Sequence, residues 1–148
     1  MVYKMFLTTR GRYAVMAMVE LANHKGQTMP LRTISEIQEI DLSYLEQIFS
    51  YLKKAGLVRA VKGPGGGYML TQPAESILMV DIISAVNENT KITRCTHDMQ
   101  DGCMKKGSKC ATHHLWAAME NNIKQFMTKW SLADICSGAI KTMAKEVA

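Results

Sequence analysis

The sequence predicts a mainly α-helical fold that carries one small β-hairpin. Apolar residues recur at helical spacing in three segments before residue 56 and again after residue 112, whereas residues 57–71 switch to the two-residue period of strands. Four glycines and a proline at positions 63–67 interrupt the strand region, which is typical of a hairpin tip. The chain is therefore expected to begin with a helical domain that ends in a hairpin.

The composition is that of an ordinary globular protein. Apolar residues make up 47% of the 148 positions and charged residues 21%, which argues against disorder. No apolar run is long enough to span a membrane, and the N-terminus lacks the apolar core of a signal peptide. We therefore expect a cytoplasmic protein with no membrane partner, in a reducing compartment where clustered cysteines favour metal chemistry over disulfides.

A helix-turn-helix is predicted in the first part of the chain. Helices are expected from Thr8 or Thr9 to about Asn23, from about Arg32 to Glu39, and from Ser43 to just before Gly56. Ser43-x-x-Glu46 has the form of a capping box at the start of the third helix. A turn of about four residues around Asp41 joins the second and third helices, as in a helix-turn-helix.

The hairpin that follows would make this domain a winged helix. Its predicted strands are Leu57 to Lys62 and Tyr68 to Thr71, with a glycine-rich tip between them. The glycine run lacks the Lys-Ser/Thr of a P-loop and the spacing of a dinucleotide-binding loop, so nucleotide binding is not expected.

Basic residues cluster at the predicted third helix and hairpin. Between positions 53 and 62 the charged residues are all basic, namely Lys53, Lys54, Arg59 and Lys62. A solvated charged face is the alternative explanation for such a run. Because these residues coincide with the two elements of a winged helix that face DNA, and the net charge is +5, we expect contacts to the backbone of double-stranded DNA.

The second half of the chain is predicted to pair two subunits. A helix is expected from Ile77 to Val86, a long one from Thr112 to Lys129, and a last one starting at Ser131-x-x-Asp134. The long helix carries apolar residues spaced 3, 4, 3, 4, namely Trp116, Met119, Ile123, Phe126 and Trp130, which is the seam of two paired helices. A homodimer is expected, and packing of this seam on the first helix of the same subunit is the alternative.

Between the two halves, residues 94–115 hold three of the four cysteines and three of the four histidines. Cys95, Cys103, Cys110 and His113 form a complete set of four ligands for a metal or cluster. His97 and His114 compete with His113 as the fourth ligand. A loop of reduced cysteines, a metal-free thiol switch and a structural zinc site are the alternatives, while Cys136 is expected to be a small buried residue.

These patterns divide the chain into three units. Residues 1–90 are expected to form the winged helix-turn-helix DNA-binding domain, residues 91–111 the cysteine-rich loop, and residues 112–148 the dimerisation and C-terminal helices. The sequence holds no pairing of nucleophile and base and no cofactor fingerprint, so an enzyme is not expected.

Five strings resemble the iron-sulfur cluster regulator IscR and its relatives: L-T-T-R-G-R-Y-A-V-M-A-M, D-L-S-Y-L-E-Q-I-F-S-Y-L-K-K-A-G-L-V, G-P-G-G-G-Y, I-S-A-V-N-E and C-A-T-H-H-L-W. The resemblance covers residues 5 to about 136. It implies a dimeric winged-helix transcription regulator in which a 2Fe-2S cluster on three cysteines and one histidine alters DNA-site preference. The implied cluster ligands are Cys95, Cys103, Cys110 and His113. The implied DNA readers are Ser43, Tyr44, Glu46 and Gln47 of the third helix, with Gly63, Pro64 and Gly65 of the wing.

This sequence departs from the family pattern in two places. Seven and six residues separate the three cysteines here, where the family usually has five in each gap. Lys62 stands where the family commonly has arginine before the wing glycines. The longer spacing leaves the cluster type open, because relatives that sense nitric oxide or redox state hold different clusters with three cysteines.

Overall fold

The computed structural model describes residues 7–88, 104–105 and 107–147. Its elements are α1 (Thr9–Asn23), α2 (Leu31–Gln38), α3 (Leu42–Lys54), β1 (Val58–Val61), β2 (Gly67–Leu70), a short 3-10 turn (Ala74–Ser76), α4 (Met79–Ala85), α5 (His113–Lys129), α6 (Leu132–Ser137) and α7 (Ala139–Val147). This order confirms the predicted helical fold with its hairpin. Within the described residues, every helix is too short or too polar to cross a lipid bilayer.

The core is built where α1, α2 and α3 meet. Met18 of α1, Ile34 of α2 and Phe49 of α3 are completely buried. Burying large apolar side chains is the dominant favourable contribution to folding, so this junction fixes α3 relative to the other two helices. The outer face of α3 is left to solvent.

The turn between α2 and α3 is short and specified by its own side chains. Glu39 ends α2 in the left-handed conformation, with φ of 54°. Ile40 is buried, and its carbonyl accepts a hydrogen bond of 2.6 Å from the Ser35 hydroxyl. These contacts set the angle at which α3 leaves the turn.

The hairpin is a third layer against α3. β1 and β2 are antiparallel, with Val58 opposite Leu70 and Val61 opposite Gly67. Tyr68 also exchanges two backbone hydrogen bonds of 2.8 Å with Met29, so the segment before α2 pairs with the second edge of β2. Because β2 is hydrogen-bonded both to β1 and to Met29, the position of the hairpin relative to α3 is defined.

The C-terminal part of the chain returns to the same core. Leu132 of α6 is completely buried within the core cluster, and its backbone N–H donates to the carbonyl of Ile77 at 2.7 Å. The Ser131 hydroxyl accepts from the backbone N–H of Asp134 at 3.1 Å, so the predicted start of α6 is confirmed.

Candidate nucleic-acid interface and ligand cluster

The start of α3 differs from the prediction. The carboxylate of Asp41 accepts hydrogen bonds from the Tyr44 backbone N–H, at 3.0 Å, and from the Ser43 hydroxyl, at 2.6 Å. Asp41 is therefore the N-cap, and the predicted capping box of Ser43 and Glu46 is wrong. Asp41 accepts best because its side chain sits one step before the helix, whereas Ser43 already lies in the first turn. Glu46 is consequently released from the capping role.

Hydrogen bonding also sets the charge at this helix start. The Ser43 hydroxyl and then the Tyr44 backbone N–H hold the pKa of Asp41 below its ordinary value of 3.8. A negative charge at a helix N-terminus is favourable because the unpaired N–H groups there carry partial positive charge.

The predicted DNA readers on α3 fall into two groups. Ser43, Glu46 and Gln47 are exposed. Tyr44 is half-buried, and its ring packs edge-on against that of Tyr13, with centroids 5.9 Å apart. Three of these four predicted readers are thus available on the open face of α3, while Tyr44 is partly committed to holding α3 on α1.

The predicted basic residues lie on two elements of the fold. Lys53 and Lys54 are exposed in the last turn of α3. Lys53 lies ten positions after Ser43, which is about 15 Å along a helix. Arg59 and Lys62 are exposed on the hairpin. The basic residues therefore lie on the last turn of α3 and on the hairpin, and Lys53 lies away from the readers at the start of α3.

The wing tip is a glycine-dependent turn. Its predicted DNA-facing residues, Gly63, Pro64 and Gly65, are all exposed. The backbone N–H of Gly66 donates to the carbonyl of Gly63 at 2.9 Å, and a Cβ at position 66 would lie 2.3 Å from the carbonyl oxygen of Val61. The sequence therefore needs glycine at position 66 for the backbone to close this turn.

A residue outside the wing holds the tip in place. The hydroxyl of Thr28 donates a hydrogen bond of 2.6 Å to the carbonyl of Gly65. No sequence pattern predicts this contact, because Thr28 lies 37 positions away in a segment without helix or strand periodicity.

Two of the four predicted ligands lie in the described part of the chain. Cys110 is half-buried, and its sulfur lies 3.6 Å from the Thr112 hydroxyl. His113 is the first residue of α5 and is 2% exposed. Its backbone N–H donates to the Cys110 carbonyl at 3.1 Å, so one tight turn brings the thiol and imidazole residues together. Cys95, Cys103 and the competing His97 lie outside the described residues.

The orientation of α5 separates its two histidines. His114 and its neighbour Leu115 are exposed, whereas His113 faces inward. The two imidazole rings pack edge-on with centroids 5.3 Å apart. The inward side is the one that meets α4, whereas the apolar pattern of the sequence marks an adjacent, half-buried flank of α5.

The two described ligand residues fit the donor set of an iron-sulfur or zinc site. A thiol and an imidazole are donors that both types of site accept. Within residues 7–88, 104–105 and 107–147 no three such donors converge, because half of the predicted set lies elsewhere. Cys136 is different: burial, and then the negative charge of Glu20, raise the pKa of its thiol. This disfavours the thiolate that ligation requires.

One flank of α5, called its apolar face below, is only partly covered. His113, Ala117 and Met127 are the buried residues of this helix. The predicted seam lies elsewhere: Trp116, Met119, Ile123 and Trp130 are half-buried and Phe126 is 38% exposed. Leu115, which is 59% exposed, extends the same apolar surface. Large exposed apolar patches usually mark an interaction site.

An exposed helix of a helix-turn-helix beside a wing, with basic side chains on both, defines a winged-helix DNA-binding regulator. Residues 7–138 match the family model Rrf2, which is described as an iron-dependent transcriptional regulator. The chain belongs to the Rrf2 family, and it is a transcriptional regulator and not an enzyme.

Similar proteins carry related names. The HTH-type transcriptional regulator IscR of Photorhabdus laumondii is 46% identical over 132 residues, which span 88% of this chain and 79% of the relative. An Escherichia coli IscR is 47% identical over the same length, covering 88% of this chain and 80% of that relative.

Two solved structures share the fold. CymR, the global cysteine regulator of B. subtilis, superposes with a TM-score of 0.75 at 28% identity, covering 90% of this chain and 97% of the other. IscR of T. potens gives a TM-score of 0.73 at 31% identity, covering 92% and 89%.

Proposed function

We propose that this regulator is a homodimer whose DNA-site preference or affinity is controlled by an iron-sulfur cluster, of the 2Fe-2S type, held by Cys95, Cys103, Cys110 and His113. The observation that carries the proposal is the turn that places a half-buried cysteine and a buried histidine together at the start of α5. This turn lies between the DNA-binding elements and the apolar face of α5. The iron dependence in the description of the matching family supports the choice of metal.

DNA is read by the open face of α3. In the proposed complex α3 enters the major groove, where Gln47 can bond adenine N6 and N7 and Glu46 can accept from cytosine N4. Lys62 at the wing contacts the neighbouring backbone, and Lys53, Lys54 and Arg59 contact phosphates at the periphery of the site. The capping of α3 by Asp41 supports base reading by Glu46, because its carboxylate is not needed at the helix start.

The second subunit would cover the apolar face of α5. A two-fold dimer through Trp116, Met119, Ile123, Phe126 and Trp130 removes this face from water and presents two copies of α3 to two half-sites of DNA. The half-buried state of the seam residues supports this arrangement over packing inside one subunit.

The chain's own residues favour thiolate ligands at the proposed site. Lys105 and Lys109 are exposed on either side of the turn before Cys110, and nearby positive charge lowers the cost of the thiolate. A cluster with one imidazole among thiolates supplies a redox-active and protonatable centre. The signal is then cluster supply, or redox or nitric oxide stress.

Anaerobic purification followed by iron, sulfide and zinc analysis tests the cluster. We expect iron and sulfide in equal amounts with a visible chromophore, and a change in DNA affinity or site preference when the cluster is removed. A colourless protein with stoichiometric zinc would indicate a structural zinc site. Thiol counting with and without oxidant, on metal-free protein, would reveal a thiol switch.

A further inference from the structure

The carboxylate of Glu88 caps the N-terminus of α1, although Glu88 lies 77 or more positions from the residues that it contacts. Glu88 is 8% exposed. Its Oε1 accepts from the Thr8 backbone N–H at 3.0 Å, its Oε2 accepts from the Gly11 backbone N–H at 3.1 Å, and the Thr8 hydroxyl also donates to Oε2. The first turn of α1 has no acidic residue, and Thr8 makes no side-chain cap bond of its own. Glu88 thus satisfies N–H groups that a helix start otherwise leaves unpaired.

Gly11 makes this close approach possible. A Cβ at position 11 would lie 3.0 Å from Oε2 of Glu88 and 3.2 Å from its Cδ. Glycine inside a helix is unfavourable relative to alanine, so its presence in the first turn of α1 is accounted for by the carboxylate packed against it. Glu88 and Gly11 form a matched pair.

The same turn of α1 contacts α3. The guanidinium of Arg10 lies 5.6 Å from the centroid of the Tyr51 ring on α3, and its Nη2 donates to the carbonyl of Asn87 at 3.4 Å. One helical turn further on, Tyr13 packs against Tyr44 of α3. The first turns of α1 therefore join residues 87 and 88 to both ends of the helix proposed to read DNA.

Glu88 is also the residue from which the chain runs to the first proposed ligand. Only residues 89–94 separate it from Cys95. Binding of a cluster at Cys95 would therefore act on the chain within seven residues of the Glu88 carboxylate and its contacts with α1.

On this geometry we infer that Glu88 is a positioning residue that transmits the state of the ligand segment through α1 to α3. The inference rests on the proposed function, because it requires the ligand residues to have a cluster-bound and a cluster-free state. A purely structural cap would stabilise α1 without linking the ligand segment to DNA binding.

Hydrogen exchange on the metal-free full-length protein tests the link from Glu88 to α3. Glu88→Gln keeps the shape but not the charge, and Gly11→Ala moves the carboxylate away. Both should speed amide exchange in the first turn of α1 and also in α3, while Glu75→Gln, at an exposed position, should change neither. Faster exchange confined to α1 would overturn the link. Circular dichroism confirms that each variant is folded.

DNA binding tests the regulatory role. The probe is a duplex that the wild-type protein selects from a random pool, and the measured quantity is the ratio of affinities of the cluster-loaded and metal-free proteins. We expect a wild-type ratio that departs from one by about fivefold or more, and a Glu88→Gln ratio within about twofold of one. The visible spectrum and iron content of Glu88→Gln should remain those of the wild type.

The outcomes separate the two proposals. An undiminished ratio in Glu88→Gln would overturn the role of Glu88 and leave the proposed function standing. A wild-type ratio of one would overturn cluster control itself, and with it the regulatory role of Glu88. In that case the exchange experiment still decides whether Glu88 and α3 are mechanically connected.

Discussion

The backbone N–H of Tyr44 donates a hydrogen bond of 3.0 Å to the carboxylate of Asp41, and this contact begins α3. The Ser43 hydroxyl and this N–H keep the pKa of Asp41 below its ordinary value of 3.8. A carboxyl whose pKa is lower in the folded state stabilises that state at all pH values above its unfolded pKa. The stabilisation is lost as the pH falls through the folded pKa.

Asp41→Asn should therefore flatten the acid side of the stability curve. Asparagine caps as well as aspartate but carries no charge and does not titrate, so the variant should be slightly less stable than the wild type at neutral pH, and this difference should disappear as the pH falls below about 4. Urea unfolding at a series of pH values measures this difference. Parallel curves for the two proteins would show that the Asp41 carboxylate does not contribute.

The proposed DNA readers should differ in what they contribute. Gln47→Ala should cost about 1 to 3 kcal/mol at one base step, whereas Lys62→Ala should weaken binding to all sequences and reduce the salt slope by about one. Titrations of specific and random duplexes at several salt concentrations separate these effects. Lys145→Ala, on α7, is the charge-matched control. Equal losses on specific and random DNA in the Gln47 variant would remove its base-reading role.

Replacing the glycine at position 67 should destabilise the wing and its contact with Met29. A Cβ there would lie 2.4 Å from the carbonyl carbon and oxygen of Met29, which pairs with the wing. Gly67→Ala should destabilise the fold by about 2 kcal/mol or more, because backbone cannot move aside cheaply. A Cβ at position 65 would meet open space, and the only cost is the positive φ of 71°. Gly65→Ala should therefore lower the free energy of unfolding by only about 1 kcal/mol. Urea unfolding that ranks the two variants the other way would contradict this account of the wing.

The seam on α5 predicts the behaviour of a charged variant. Ile123→Glu should split the proposed dimer, since a glutamate in an apolar interface loses its hydration. Lys124→Glu, at an exposed neighbouring position, should leave the assembly intact. Sedimentation at several concentrations measures both. An unchanged dimer in Ile123→Glu would mean that the seam is covered within one subunit.

Ligand variants should show a graded response. Alanine at Cys95, Cys103 or Cys110 should abolish the visible chromophore, and His113→Ala should weaken it or shift its spectrum. His114→Ala is the matched control, because the neighbouring ring is exposed. An unaltered spectrum in His113→Ala, with a loss in His97→Ala or His114→Ala, would move the fourth ligand to the histidine that responds.

Local signals predicted most of the fold. α1 ends at Asn23 and α6 begins after Ser131, as their apolar spacing and capping residues indicated. The start of α3 was misplaced because two capping patterns lie two residues apart, at Asp41 and Ser43. Such a choice depends on where the backbone enters the helix, which the buried Ile40 decides here.

The site was less accessible to sequence reasoning. The sequence pattern did not predict the inward face of α5, because only His113, Ala117 and Met127 are buried there, while most of its large apolar residues lie on a half-buried flank. No sequence pattern predicted that Glu88 caps α1, since its partners Thr8 and Gly11 are 77 or more positions away. A buried glutamate at the end of an amphipathic helix carries no local signature of a cap for another helix.

Val86 and Leu132 belong to the same core cluster among the described residues, although 45 positions lie between them. The start of α6 is tied by backbone hydrogen bonds to the start of α4, with the Met79 N–H donating to the Trp130 carbonyl at 2.9 Å. An insertion between two such anchored points costs only about 0.6 kcal/mol for each doubling of length. Cysteine spacings of seven and six residues can therefore arise by insertion without altering α3 or the wing. Ligand chemistry and DNA reading can thus diversify separately during evolution, with the same reader serving different signals.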